Sequence, residues 1–149
     1  MALSSASRYD VWVPIPERMI QSATHYLNTL PVKRSTRTDL FQFVKRLVYR
    51  GKVSMVVLAS SLVYLERLTT IRKLNAFKIN SLELAFLVAI LLASKFHEDR
   101  ALSVFKVVNI ARDEWTTSEV SMMEREFLHH LNYNLWLEME ELKKFITTE

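Results

Sequence analysis

An all-helical fold is what this sequence predicts, and three observations carry that reading. The 149 residues include one glycine, Gly51, and three prolines. Sheets and tight hairpins use glycine freely at their turns, so a chain this poor in breakers has few ways to build them. Apolar residues recur at three- and four-residue spacing along most of the chain, as one face of a helix requires. Half of all residues are hydrophobic and 24% are charged, a balance that belongs to globular domains and not to disordered chains. The length fits one domain with one substantial core.

The elements follow in order. Residues 1–15 read as an extended arm, with Val11, Trp12, Val13 and Ile15 interleaved with Pro14 and Pro16. An arm this apolar packs on something, either its own domain or a partner. Pro16 suits the first turn of a helix, where its missing N–H costs nothing. Met19, Ile20, Ala23 and Leu27 continue that helix until Pro31 stops it. A basic loop, Val32 to Arg37, precedes Thr38-Asp39, which can cap a helix carrying Leu40, Phe41, Val44, Leu47 and Val48 on one side. Gly51 ends it. A longer helix is expected from Val53 to Leu68, closing with Tyr64-Leu65-Glu66-Arg67-Leu68, and a basic linker containing Arg72-Lys73-Leu74-Asn75 follows.

Asn80 with Glu83 forms a start resembling a capping box. From Leu82 to Phe96 the sequence is apolar almost all the way round, and a helix of that kind must be wrapped by its neighbours. A shorter helix is expected from Ser103 to Ala111. Thr116-Thr117-Ser118-Glu119 is a capping box opening a helix through Leu131, which Asn132-Tyr133-Asn134 ends. Leu135-Trp136-Leu137 is an apolar connector to a last short helix, Glu138 to Ile146.

Several function classes fall away. There is no cysteine, so disulfides and thiolate metal sites are excluded and a reducing compartment is favoured. The longest apolar run, Leu84 to Ala93, is well short of the roughly twenty residues a bilayer needs. The N-terminus has no apolar signal core. The chain therefore reads as intracellular, in the nucleus, the cytoplasm or both, with no membrane partner. The net charge of +4 is modest and is not gathered into one basic tract, so nucleic-acid binding is not favoured. With one glycine there is no phosphate-cradling loop, no dinucleotide fingerprint and no nucleophile elbow. His129 and His130 are adjacent and point to different helix faces, so they do not chelate one metal. No catalytic residue, metal or cofactor is expected.

Two charges stand out. At ~100° per residue, Met123, Phe127, Val120, Leu131 and Leu128 sweep a single apolar arc, and Glu124 falls inside it. Lys95 falls at nearly the same angle as Leu84, Val88 and Leu91. A charge in an apolar arc is costly unless it is paired or hydrogen-bonded. Lys95 could snorkel to water from its last-turn position, and Glu124 could bond a neighbouring helix. Taken together, a Lys–Glu pair at the edge of an apolar face is a docking feature that supplies orientation more than affinity.

These residues also carry a family resemblance. Leu91-Leu92-Ala93-Ser94-Lys95-Phe96 resembles the third-helix signature of the cyclins. Met123-Glu124, with Phe127-Leu128 and Leu131-Asn132-Tyr133-Asn134-Leu135, resembles their fifth helix and its exit, and Tyr64-Leu65-Glu66-Arg67-Leu68 is similar to the end of their second helix. The chain is most similar to the fungal Pcl-type cyclins. The resemblance implies a five-helix cyclin box over 38–137, preceded by an arm and helix over 1–37 and followed by a helical extension over 138–149. It also implies a regulatory subunit that binds and activates a cyclin-dependent protein kinase between the third and fifth box helices. The implied kinase contacts are Lys95 and Glu124, with Leu92, Phe96, Leu128, Tyr133 and Trp136 as apolar partners. A cyclin-fold transcription factor or pocket-type adaptor, binding DNA or a peptide, is the alternative.

The sequence departs from the family in two ways. The first box helix reads Leu40-Phe41-Gln42-Phe43-Val44-Lys45-Arg46-Leu47 and lacks the Met-Arg-Ala-Ile-Leu motif that many cell-cycle cyclins use to form a substrate-docking groove. After Trp136 too few residues remain for a second box, which fits either a one-box protein or a trimmed fragment.

Overall fold

The computed structural model describes residues 12–35, 38–70 and 81–146. Among them lie seven helices and no strand: α1 (Glu17–Asn28), α2 (Leu40–Arg50), α3 (Met55–Thr70), α4 (Leu82–His97), α5 (Val104–Ile110), α6 (Thr117–His130) and α7 (Met139–Ile146). The expected plan holds: five helices, α2 to α6, with one before them and a short one after. The first eleven residues, the linker at 71–80 with its basic run and Asn80, and residues 147–149 lie outside the described residues.

The fold is arranged around α4. Every residue from Leu82 to Ser94 is buried, which is the environment that an all-round apolar helix demands. Helices α2, α3, α5 and α6 all pack against it. Helix α7 lies on α3 and α1, and α1 on α2. Small residues at Ala85, Ala89 and Ala93 are fully buried and let neighbouring backbones approach.

Local chemistry sets most of the boundaries. Asp39 caps α2 by accepting from the Gln42 amide at 3.2 Å. Thr116 and Glu119 form the expected reciprocal capping box of α6, at 3.0 and 2.8 Å. Pro16 turns out to be the N-cap of α1 and not its first helical residue, since its ψ of 144° is non-helical. Helix α4 is capped by Ser81, whose hydroxyl accepts from the Leu84 amide at 3.0 Å. Glu83 also reaches away from its own helix. Its carboxylate is buried and accepts from the Arg34 Nε at 2.6 Å and the Ser35 amide at 3.0 Å. The basic loop before α2 is thereby tied to the start of α4.

The end of the arm packs on its own domain. Ile15 is buried, and the Trp12 indole donates to the Val53 carbonyl at 2.7 Å while its ring meets Tyr49 edge-on. The Tyr49 hydroxyl in turn donates to the Ile15 carbonyl at 2.9 Å. On α2, Leu40, Val44, Leu47 and Val48 are buried as expected, but Phe43 joins them and Phe41 is only partly buried, because the buried face of the helix is centred nearer Phe43.

Candidate functional site

The C-terminal turn of α4 leaves the core abruptly. Ser94 is buried, and Lys95, Phe96 and His97 are exposed. The Ser94 hydroxyl accepts from the Leu102 amide at 2.8 Å, which folds the following loop back against the helix. The His97 Nε2 lies 2.8 Å from the Ser60 hydroxyl on α3. Although the residue is exposed overall, partial desolvation of the His97 ring holds its pKa below the ordinary value, against an upward pull from Glu98. The Phe96 and His97 rings meet edge to face at 5.1 Å.

Helix α6 packs on α4 and brings Glu124 to this turn. The Lys95 ammonium donates to the Glu124 Oε2 at 2.7 Å, with the lysine side chain 44% exposed and the glutamate 11%. Both explanations read from the helical wheel are thus satisfied at once: the lysine reaches water, and the glutamate bonds a neighbouring helix. Lysine carries three donors and Glu124 has a second carboxylate oxygen. The pair therefore still offers donors and an acceptor outward.

The other expected contact residues divide into three groups. Phe96, Tyr133 and Trp136 expose their rings, at 44%, 68% and 64%. Leu128, one turn beyond Glu124, is partly buried against the core. Leu92 is only 2% exposed and belongs to the core, so it presents no surface of its own. Among the described residues no hydrogen bond or ring contact joins Tyr133 or Trp136 to the Lys95–Glu124 pair. They stand at the exit from α6, where Asn132 and Tyr133 both adopt left-handed backbone, with φ of 56° and 58°. The Tyr133 amide there donates back to the Leu128 carbonyl at 2.8 Å. A left-handed tyrosine is uncommon and carries strain.

The connector after that exit is held by Tyr64 and Arg67, two residues of the Tyr64-Leu65-Glu66-Arg67-Leu68 motif. The Tyr64 hydroxyl donates to the Leu135 carbonyl at 2.9 Å. The Arg67 guanidinium donates to the carbonyls of Asn134 at 3.2 Å and Trp136 at 2.7 Å. It also pairs with both oxygens of Glu141 on α7, at 2.9 and 3.0 Å. The available signal was their three-residue spacing, which puts both on one face of α3. Nothing local pointed to their partners, 67 to 74 residues away.

Elsewhere the surface offers little chemistry. Among the described residues no three His, Cys, Asp or Glu side chains gather as a metal site. None of their helices is long and apolar enough to cross a membrane. An open hollow of about 410 Å³ lies between α5 and the start of α6, lined by Phe105, Asp113 and Trp115 among others; none of the expected contact residues borders it.

No solved structure matches this chain. A family model described as the cyclin N-terminal domain matches residues 15–136. That match takes in every helix from α1 to α6 and the connector as far as Trp136, so the chain belongs to the cyclin family, whose shared domain is regulatory and not catalytic.

Proposed function

We propose that this chain is the regulatory subunit of a cyclin-dependent protein kinase, without catalysis of its own, and that it grips the kinase along the ledge between α4 and α6. The single observation that carries the reading is the Lys95–Glu124 ion pair, 2.7 Å long and open on the lysine side. A lysine donor can bind the free carbonyls at one end of a partner helix, and a carboxylate the free amides at the other. Phe96, Tyr133 and Trp136 supply exposed apolar surface for the face of that helix. Leu128 contributes an edge, and Leu92 stays in the core.

In cyclin complexes the gripped element is the mobile kinase helix whose glutamate must meet the ATP-binding lysine. A cyclin that binds the active conformer better shifts the kinase toward it, by no more than that difference in affinity. The closing sequence Met123-Glu124 through Leu135 favours kinship with the fungal Pcl-type cyclins and a box over 38–137. The chain then acts where its kinase does, in the nucleus or the cytoplasm.

The test is Lys95→Ala and Glu124→Ala, singly and together, assayed for kinase capture, kinase activation and thermal unfolding. Truncating one member of a charge pair buried by a partner costs about 2 kcal/mol or more. Each single variant should therefore bind at least tenfold more weakly; Glu124→Ala, which leaves a lysine that reaches water, should melt close to the parent, whereas Lys95→Ala leaves the largely buried Glu124 without its partner and should melt lower. A double variant that activates the kinase normally would end the proposal. DNA binding that weakens steeply with salt and survives Glu124→Ala would favour the transcription-factor alternative.

A further inference from the structure

The segment that presents Tyr133 and Trp136 has almost no regular structure of its own. Residues 131–138 lie between α6 and α7 without a helix. Its main-chain shape depends on α3. Three consecutive carbonyls, those of Asn134, Leu135 and Trp136, accept from two side chains one turn apart, Arg67 and Tyr64. Tyr64 is fully buried and fixed by packing. Arg67 is at the end of its helix, with its side chain 24% exposed, and needs another constraint.

That constraint is Glu141. Its two oxygens accept from the Arg67 Nη2 at 2.9 and 3.0 Å, and Oε2 also accepts from Nε at 3.3 Å. A planar guanidinium paired in this forked way has its orientation set by the carboxylate. The same Glu141 accepts from the Glu138 amide at 3.0 Å, so one side chain opens α7 and aims Arg67. Burial alone would raise the Glu141 pKa; the Glu138 amide and the Arg67 guanidinium outweigh it and hold the carboxyl lower.

Helix α7 is itself pinned. Leu142 is buried, Lys144 pairs with Glu66 at 2.7 Å, and Phe145 meets Tyr26 edge to face at 4.9 Å. Yet α7 begins at Met139, beyond the last residue of the family match, Trp136. An element outside the matched domain thus fixes the end of the segment that the domain presents.

We infer that Arg67 is a positioning residue for the kinase-binding surface and that α7, through Glu141, sets the affinity of that surface by fixing the Asn134–Trp136 main chain. The inference rests on the kinase-binding reading above. It adds that partner affinity is controlled from a helix which does not touch the Lys95–Glu124 pair.

The test uses the full chain with Glu141→Gln, which keeps the size of the side chain and removes its charge, and Arg67→Lys, which keeps the charge and removes the fork. Two quantities are read. One is the backbone carbonyl carbon-13 chemical shift of Asn134, Leu135 and Trp136, which reports whether each oxygen still accepts, with α4 and α6 as internal controls. The other is the dissociation constant for a purified cyclin-dependent kinase catalytic subunit that captures the parent chain. The Asn134 and Trp136 carbonyl signals should move upfield with α4 and α6 unchanged, and the dissociation constant should rise about tenfold, mainly through faster dissociation. Lys95→Ala should weaken kinase binding with the connector carbonyl signals unaltered, which separates the two claims. Unmoved connector carbonyl signals in both variants overturn the inference, as do shifted signals with undiminished kinase affinity. A parent chain that captures no such kinase sinks the functional reading, and the affinity claim with it.

Discussion

Lys95 and Glu124 answer each other's cost. Alone, each would be an uncompensated charge on an apolar helix face; together they form one short bond at the lip of the core. Both positions were legible in the sequence because a helical wheel needs only local spacing, and their charges broke the apolar pattern. Leu92 was not separable from its neighbours by the same means. It shares their apolar character, and only the packing of α4 shows that it lies in the core. Tyr133 holds the least expected backbone. Left-handed positions after a helix usually take glycine, and the cost for another residue is about 1–2 kcal/mol. Glycine would relieve that strain but lose more freedom on folding, so the two effects nearly offset. The expected outcome for Tyr133→Gly is a free domain as stable as the parent, or up to ~1 kcal/mol more stable, that binds kinase at least tenfold more weakly. Denaturant titration beside a binding isotherm checks this; an equally tight complex would show that the ring is not used.

Among the elements, those bounded by local chemistry were readable and those bounded by distant chemistry were not. Asp39 and the Thr116/Glu119 box each act over three residues, and both appear where the sequence put them. The start of α4 shows the limit of that reading. Asn80, Ser81 and Glu83 all suit a helix start. Asn80 lies outside the described residues; Ser81 caps the Leu84 amide, and Glu83 also bonds Arg34 and Ser35, nearly fifty residues earlier, which no local pattern could show. The connector clasp through Arg67 is of the same long-range kind. At the other end of α4 a single hydroxyl governs the next loop, because the buried Leu102 amide has the Ser94 oxygen as its acceptor. Removing it leaves that amide unpaired, at a cost of about 1–3 kcal/mol. Ser94→Ala should therefore lower the unfolding free energy by that amount in denaturant titration. A loss below a few tenths of a kcal/mol would mean that the loop finds another acceptor.

For the molecule as a whole, the all-helical plan followed from glycine poverty, and its centre from one all-apolar segment, since such a segment has to be central. Its consequences reach the surface. Helix α4 has no solvent-facing side from Leu82 to Ser94, and Ala89 is fully enclosed. Adding methylenes there costs about 1–3 kcal/mol and displaces backbone. Ala89→Leu should thus destabilise the fold by that amount and also weaken kinase capture, although it sits roughly 9 Å along the helix from Lys95. Destabilisation with unaltered capture at a temperature where the domain is folded would show that the ledge is decoupled from the core.

Helix α4 is anchored near its first turn by the Arg34–Glu83 bond and near its last by Glu124, with close-packed neighbours in between. Such a rod has almost no give in rotation or translation. The part of the ledge that α4 itself carries, Lys95 and Phe96, is therefore a fixed template. If the proposed kinase helix docks there, one already at the right tilt will seat quickly, and one that must swing inward supplies that movement itself.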